Sequence, residues 1–406
     1  MSTNPIATVS RRYGLYLALL QFLFALTWVV YVAYLPALAE RVGIAKQAVP
    51  LILLADQLIF VAMDFSLGVA ADRVARVVGR LGPLILWVTL VSCAALLLLP
   101  HVAPIGMGWL FLGLTATWAI TSSMLRAPPL ALLGKYAERS AIPWLTALSL
   151  LGLGIASVIA PYLTPLLRGV DPRWPFALAS LALAAAALCM VSAERALALG
   201  ATQAAPASSP QHGMPLQRVL VFLGAVALLA LGSQIHQFLN SPTLYLRHAR
   251  AADLPRLMPV FWIGFNLVLL PAGFAIRRYG ALVVMGLGAL VAAIASLAGI
   301  GAGSLAALLA AQGVAGGAWA CVMTSAVAAA LAIGHAGREG SVTGGVFSML
   351  AIAAAARVAI VAAHLDKVGA GGQGWLLWAP IAAFAIASLV LWMLARQRAA
   401  TVDALA

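Results

Sequence analysis

Apolar residues in this chain neither alternate nor form a narrow stripe; they run in long blocks. The first block follows Arg11-Arg12 and extends from Tyr13 to Ala39. Eleven more lie near residues 48–71, 82–100, 106–134, 142–167, 174–194, 217–246, 255–276, 281–300, 303–334, 341–365 and 374–395. About 20 apolar residues suffice to cross the hydrocarbon core as a helix. The first block exceeds a signal-peptide core of about 7–15 residues, and no small-residue cleavage site follows it. A membrane barrel would show short alternating strands instead. The pattern therefore predicts an all-α integral membrane protein with twelve transmembrane helices.

The longest polar interval, 196–216, is a low-complexity stretch of Ala, Thr, Gln, Pro and Ser. It reads as a flexible linker. It divides the chain into an N-terminal bundle, 1–195, and a C-terminal bundle, 217–406, with six spans each.

Composition agrees: 64% of the 406 residues are apolar and 9% charged, against about 25% charged in soluble proteins. A water-soluble enzyme and a disordered chain are excluded. A net charge of +13 would suggest nucleic acid in a soluble protein, but here the basic residues cluster on loops. With the N-terminus in the cytoplasm, cytoplasmic segments hold 14 Lys and Arg and external loops 8. The positive-inside rule then places both termini in the cytoplasm, and no nucleic-acid partner is expected. Arginine outnumbers lysine 21 to 3, which reads as GC-rich bacterial coding and points to a bacterial inner membrane. Cys93, Cys189 and Cys321 lie singly in apolar runs, without disulfide or zinc spacing. No two methionines are spaced for a thioether copper path. No metal or cofactor is expected. There is no His-Glu-x-x-His, Gly-x-Ser-x-Gly or Walker loop, so the chain is not expected to be an enzyme.

The halves contain a repeat. After the second span stands Gly68-Val-Ala-Ala-Asp72-Arg73-Val-Ala75-Arg76, and after the eighth Gly273-Phe-Ala-Ile-Arg277-Arg278-Tyr-Gly280. The offset of 205 residues also lays the first span over the seventh. Six-helix repeats characterise transporters whose two bundles rock about a central site.

On these residues the chain resembles the major facilitator superfamily over essentially its whole length. The family's loop pattern, Gly-x-x-x-Asp-Arg-x-Gly-Arg followed by Arg or Lys, is met by Gly68, Asp72, Arg73 and Arg76. Ala75 replaces the second glycine and Val77 the last basic residue. The second copy keeps Gly273, Arg278 and Gly280 but has Arg277 where the acid would stand. Physically, Asp72 suits a helix N-terminus, whose dipole is positive. The resemblance implies that this helix is span eleven, beginning near Gly340-Ser341, and that the contact closes the cytoplasmic side. Ala160-Pro161 in span five only partly matches the family's antiporter pattern, and import and export stay open.

Four charged residues sit deep within spans: Asp56, Asp64, Arg126 and Arg357. An isolated charge at the membrane centre costs at least about 2.5–3.5 kcal/mol, so partners are expected. Asp56 and Arg357 each lie roughly 12 Å from the external ends of spans two and eleven. The resemblance places those spans side by side, which predicts an Asp56–Arg357 ion pair closing the external side. Asp64 and Arg126 each lie roughly 10–12 Å from the cytoplasmic end, and the resemblance implies that both spans belong to the N-terminal bundle, which predicts a pair within it. Such pairs either fix helix register or couple protons to conformational change, with Asp56 first and Asp64 second as the proton-carrying acid.

Span seven carries Gln234, His236, Gln237 and Asn240 ahead of Pro242, which can free carbonyls for a ligand. With Trp28 and Tyr31 in span one, Asn266 in span eight, and Gln312 and Trp319 in span ten, these are the candidate cavity residues. Such a lining suits an amphipathic organic molecule. The reading is a monomeric secondary transporter with a small-molecule substrate, protons and membrane lipid as partners. The alternative is a transporter-like scaffold or assembly factor without transport activity.

Overall fold

The computed structural model describes residues 5–77, 79–202, 215–334, 337–365 and 372–403. These residues are almost entirely helical. Twelve segments are long and apolar enough to cross a membrane: Arg11–Arg41, Lys46–Ala75, Leu81–Ile105, Gly108–Tyr136, Ile142–Leu167 and Arg173–Leu199 in the first half, then Leu216–Tyr245, Ala251–Tyr279, Ala281–Ile300, Leu305–Gly334, Glu339–Ala362 and Gly374–Gln397 in the second. They are the twelve expected spans, and the chain is an integral membrane protein. The expected linker, 196–216, falls mostly outside the described residues. Its start is helical, because the helix from Met190 continues to Thr202.

Spans four and seven are interrupted beside the cavity, each for a reason visible in sequence. Span four tightens into a 3₁₀ turn at Ser123–Leu125 and resumes as a short helix at Pro128. Pro128 and Pro129 lack the amide hydrogens that would continue the helix, so Arg126 stands at the break. Span seven widens into a π-helical turn, His236–Asn240, just before Pro242. Ser241 donates its hydroxyl to the His236 carbonyl at 2.7 Å. That carbonyl also accepts the Ser241 main-chain amide, which closes the π-helical turn.

The repeat is visible in how the halves meet. Span two packs along span eleven, and span five along span eight. Advancing by six spans turns the first pair into the second. Backbones touch where side chains are smallest: a β-carbon on Gly68 would strike the Gly340 carbonyl, and one on Gly340 the Gly68 carbonyl. These contacts need glycine because no side chain fits between the helices.

The two sides of the molecule differ. On the side bearing the Gly68 and Gly273 loops and both chain ends, here the motif side, one apolar core draws on both halves. Leu130, Leu133 and Leu145 there pack in one cluster with Ile276, Val327, Leu331 and Phe347. On the far side each half keeps its own core, one around Leu35, Leu99 and Phe111, the other around Leu244, Tyr245 and Leu308. The halves therefore share a core on the motif side and keep separate cores on the far side, where the short helix Leu254–Leu257 still meets span five.

Candidate functional site

A cavity of about 490 Å³ lies between the halves, with residues of spans one, two, four, five, seven, eight, ten and eleven in its wall. Most of the wall is apolar, including Phe24, Trp28, Phe60, Trp262 and Phe347. Trp28 stacks on Trp118 at 5.7 Å and 18°, and packs against Phe60 and Tyr31. This gives the N-terminal half of the wall a rigid aromatic surface. Among the described residues, two charged side chains reach the cavity, Arg126 and Arg357, and no carboxylate lines it.

The structure brings Asp64 and Arg126 together. Arg126 Nη1 lies 2.8 Å from Asp64 Oδ2, and Asp64 is wholly buried. The guanidinium also lies between two rings, 5.0 Å from Phe60 of its own half and 5.2 Å from Phe347 of the other. Asp64 lies against span eleven as well, since a β-carbon on Gly344 would strike its carbonyl. Both members of this pair thus touch the opposite half.

Asp56 and Arg357 do not pair, and the external gate expected from them is absent here. Asp56 turns into its own half, where Tyr31 donates its hydroxyl to Oδ2 at 2.7 Å. Arg357 turns toward span seven: its Nε donates to Gln234 Oε1 at 2.9 Å, and its guanidinium lies 4.6 Å from the Phe238 ring centre. The reason is local to spans two and eleven, which the cavity separates at this level. Spans two and eleven stay in contact as far as Phe60 and Ala351. Beyond that, Gln57 and Arg357 both face the cavity.

On the motif side the Asp72 carboxylate accepts the main-chain amides of Gly340 at 2.6 Å and Ser341 at 2.8 Å. Those amides open the helix Glu339–Ala362. The second copy does not reproduce this lock. Gly273 packs closely on the Pro143 and Trp144 backbone of span five, but the acid's place holds Arg277, which is exposed. The two copies also turn differently. Gly280 ends span eight with φ of 87°, a conformation glycine adopts without strain. Ala75 cannot do the same; it stays helical, its carbonyl accepts from the Lys135 ammonium, and the turn comes later, at Gly79 with φ of 81°. Arg73, Arg76 and Arg278 are exposed.

Of the candidate cavity residues, Trp28, Gln234, Gln237 and Gln312 line the cavity. Five do not. Tyr31 is turned to Asp56 and packed against Trp118. His236 is buried inside the C-terminal half, with Nε2 3.1 Å from Gln312 Oε1 and Nδ1 3.2 Å from Ser296 Oγ. Asn240 donates to the Leu376 carbonyl of span twelve. Asn266 donates to the Trp262 carbonyl and lies against Gly154, between spans eight and five. Trp319 is buried in the core of its own half. Sequence reasoning missed Gln21 and Gln57, although an amide in an apolar span is a readable signal. It also missed Phe238 and Trp262, which resemble any other membrane aromatic in sequence.

No family model and no curated protein matches the sequence. Solved structures match closely in shape. The human organic anion transporter MFSD10 (TETRAN) superposes with a TM-score of 0.74 at 17% identity, over 94% of this chain and 99% of that one. A bacterial homologue of the iron transporter ferroportin, in an outward-facing state, superposes at 0.68 and 14%, over 95% and 99%. The major facilitator superfamily proton:xylose symporter XylE superposes at 0.68 and 12%, over 95% and 96%. At these identities the likeness establishes the fold.

Proposed function

We propose that this chain, built on the major facilitator fold, is a secondary active transporter that moves a small amphipathic organic solute across a bacterial cytoplasmic membrane, coupled to protons. The motif side is the cytoplasmic side. The observation that carries the reading is a core shared by the halves at one end and separate cores at the other, around a cavity within the roughly 300–1,000 Å³ range of small-molecule sites. That asymmetry is one end state of alternating access, with the cavity opening away from the cytoplasm.

Opening toward the cytoplasm requires Asp72 to leave the Gly340 and Ser341 amides. A hydrogen bond to a charged group contributes about 1.5–3 kcal/mol, so this lock is strong enough to set the resting side and weak enough to release. The Asp64–Arg126 pair supplies the proton link. A proton on Asp64 removes the negative partner of Arg126. The guanidinium is then free to leave its place between Phe60 and Phe347, and that movement disturbs the contact of span two with span eleven. Asp56, buried against Tyr31 in one half only, is the second acid available. Two of the similar folds belong to a proton symporter and an organic anion transporter by description, which supports both the coupling and the organic substrate.

The test is uptake into proteoliposomes across a panel of organic solutes with and without an imposed pH gradient. Wild-type protein accumulates at least one compound when the gradient is present. Asp64→Asn loses gradient-driven accumulation but still exchanges labelled for unlabelled solute. Absence of both accumulation and exchange across the panel returns the chain to the scaffold reading.

A further inference from the structure

We infer that the substrate carries an acidic head, a carboxylate or an equivalent organic anion, and that Arg357 is its anchor. This rests on the transporter reading and narrows the substrate class for the same cavity.

The two cavity arginines have different obligations. Arg126 is neutralised by Asp64. Arg357 has no carboxylate within ion-pair distance among the described residues; it is held by the neutral Gln234 amide and the Phe238 ring. A guanidinium this deep in a span requires compensation, and the cavity wall contains no acid to give it. Gln234 engages only the Nε edge. The Nη groups, which form the fork that matches a carboxylate bidentately, have no partner among the described residues.

A second observation agrees. Gln312 is 1% exposed and lines the cavity, and its Nε2 has no acceptor. The other end of its amide faces His236 Nε2 at 3.1 Å and Ser241 Oγ at 3.2 Å. Span seven relates the two sites: Gln234 and Phe238 hold Arg357, and Ser241, one turn on, lies 3.2 Å from Gln312. The cavity thus presents the unfilled donor fork of Arg357 and a net positive charge, beside a buried amide that has room for a further partner. What fills such a site is a group made only of acceptors. The aromatic wall of Phe24, Trp28 and Trp262 takes the apolar body behind that head.

The experiment measures binding, not transport, so it stands apart from the transporter test. Protein in lipid nanodiscs is titrated with matched probes: 2-naphthoate against 2-naphthamide, octanoate against octanamide, and 2-naphthalenesulfonate against its sulfonamide. Wild-type protein prefers the anion of at least one pair by tenfold or more. Arg357→Gln reduces that preference to twofold or less while leaving affinity for the neutral member unchanged. Arg357→Lys retains part of it, which separates lost charge from lost folding, and Gln234→Leu weakens it by misdirecting the fork. Equal affinity within every pair for wild-type protein, or an undiminished preference in a folded Arg357→Gln variant, overturns the inference. If anion preference is found but no solute is carried, the transporter reading fails and the anchor stands. If a neutral solute accumulates under a pH gradient without anion preference, the anchor fails and the transporter reading stands.

Discussion

Arg126 and Arg357 are the same side chain in the same cavity, yet the fold treats them oppositely. Arg126 stands at a proline-induced break in span four, beside an aspartate that is 0% exposed. Arg357 stands on an unbroken helix and reaches an amide and a ring. One charge is compensated from within and the other is left for something that enters. The contrast teaches that an intramembrane charge is informative through its partner. On the proposed reading, the paired arginine belongs to the machinery of the switch, and the arginine without an acid among the described residues receives substrate charge.

The sharpest way to break this comparison is to remove each arginine in turn. Arg126→Gln leaves Asp64 buried alone, a change that costs about 3–5 kcal/mol. Arg357→Gln removes a hydrogen bond and a cation–π contact but also relieves a desolvated charge, so its cost stays within about 1 kcal/mol. Thermal unfolding in detergent should show a large loss for the first variant and a small shift for the second. Equal losses would mean that Arg357 has a structural partner after all.

The next largest effect concerns the repeated loop. Asp72→Asn weakens hydrogen bonds to the start of span eleven, at a cost of about 1.5–3 kcal/mol. It should raise the labelling of cysteines placed beneath the motif-side closure by tenfold or more. Arg277→Asn, at the equivalent place in the second half, should change labelling by less than twofold. Similar effects from both would show that the two copies lock alike.

The smallest effect is expected at Asp56. Asp56→Asn keeps an acceptor for Tyr31 and should change stability by less than about 1 kcal/mol. Exchanging the charges at 56 and 357 should rescue neither single variant in transport, because the side chains face different neighbours. Rescue would establish that they meet in another state.

The twelve spans were legible because runs of apolar residues have few physical alternatives in a chain this hydrophobic. The Asp72 contact was legible because an acid suits a helix start and the resemblance of the loop to the family's pattern implied that the start is that of span eleven. The Asp64–Arg126 pair was legible from matching depth together with the resemblance that put both spans in one bundle. Asp56 and Arg357 also share a height, but height says nothing of rotation about the helix axis or of whether the halves touch at that level. The same gap explains His236. Its spacing put it on a polar face with Asn240, and the π-helical turn it begins carries it to Gln312 and Ser296 instead. Cavity-lining aromatics such as Phe238 and Trp262 were illegible because packing and lining aromatics are chemically the same.

The most direct test of the account is a pair of distance measurements between spin labels on the two halves, taken at neutral and acidic pH in lipid. One pair sits on the motif side, at Val77 and Tyr279, and the other on the far side, at Met107 and Ala251, all of them exposed. Protonation should lengthen the first distance and shorten the second, and Asp64→Asn should hold that altered distribution at both pH values. Distances that stay fixed at both ends across pH, in wild-type protein and in Asp64→Asn alike, would contradict a proton-linked exchange of access between the two sides.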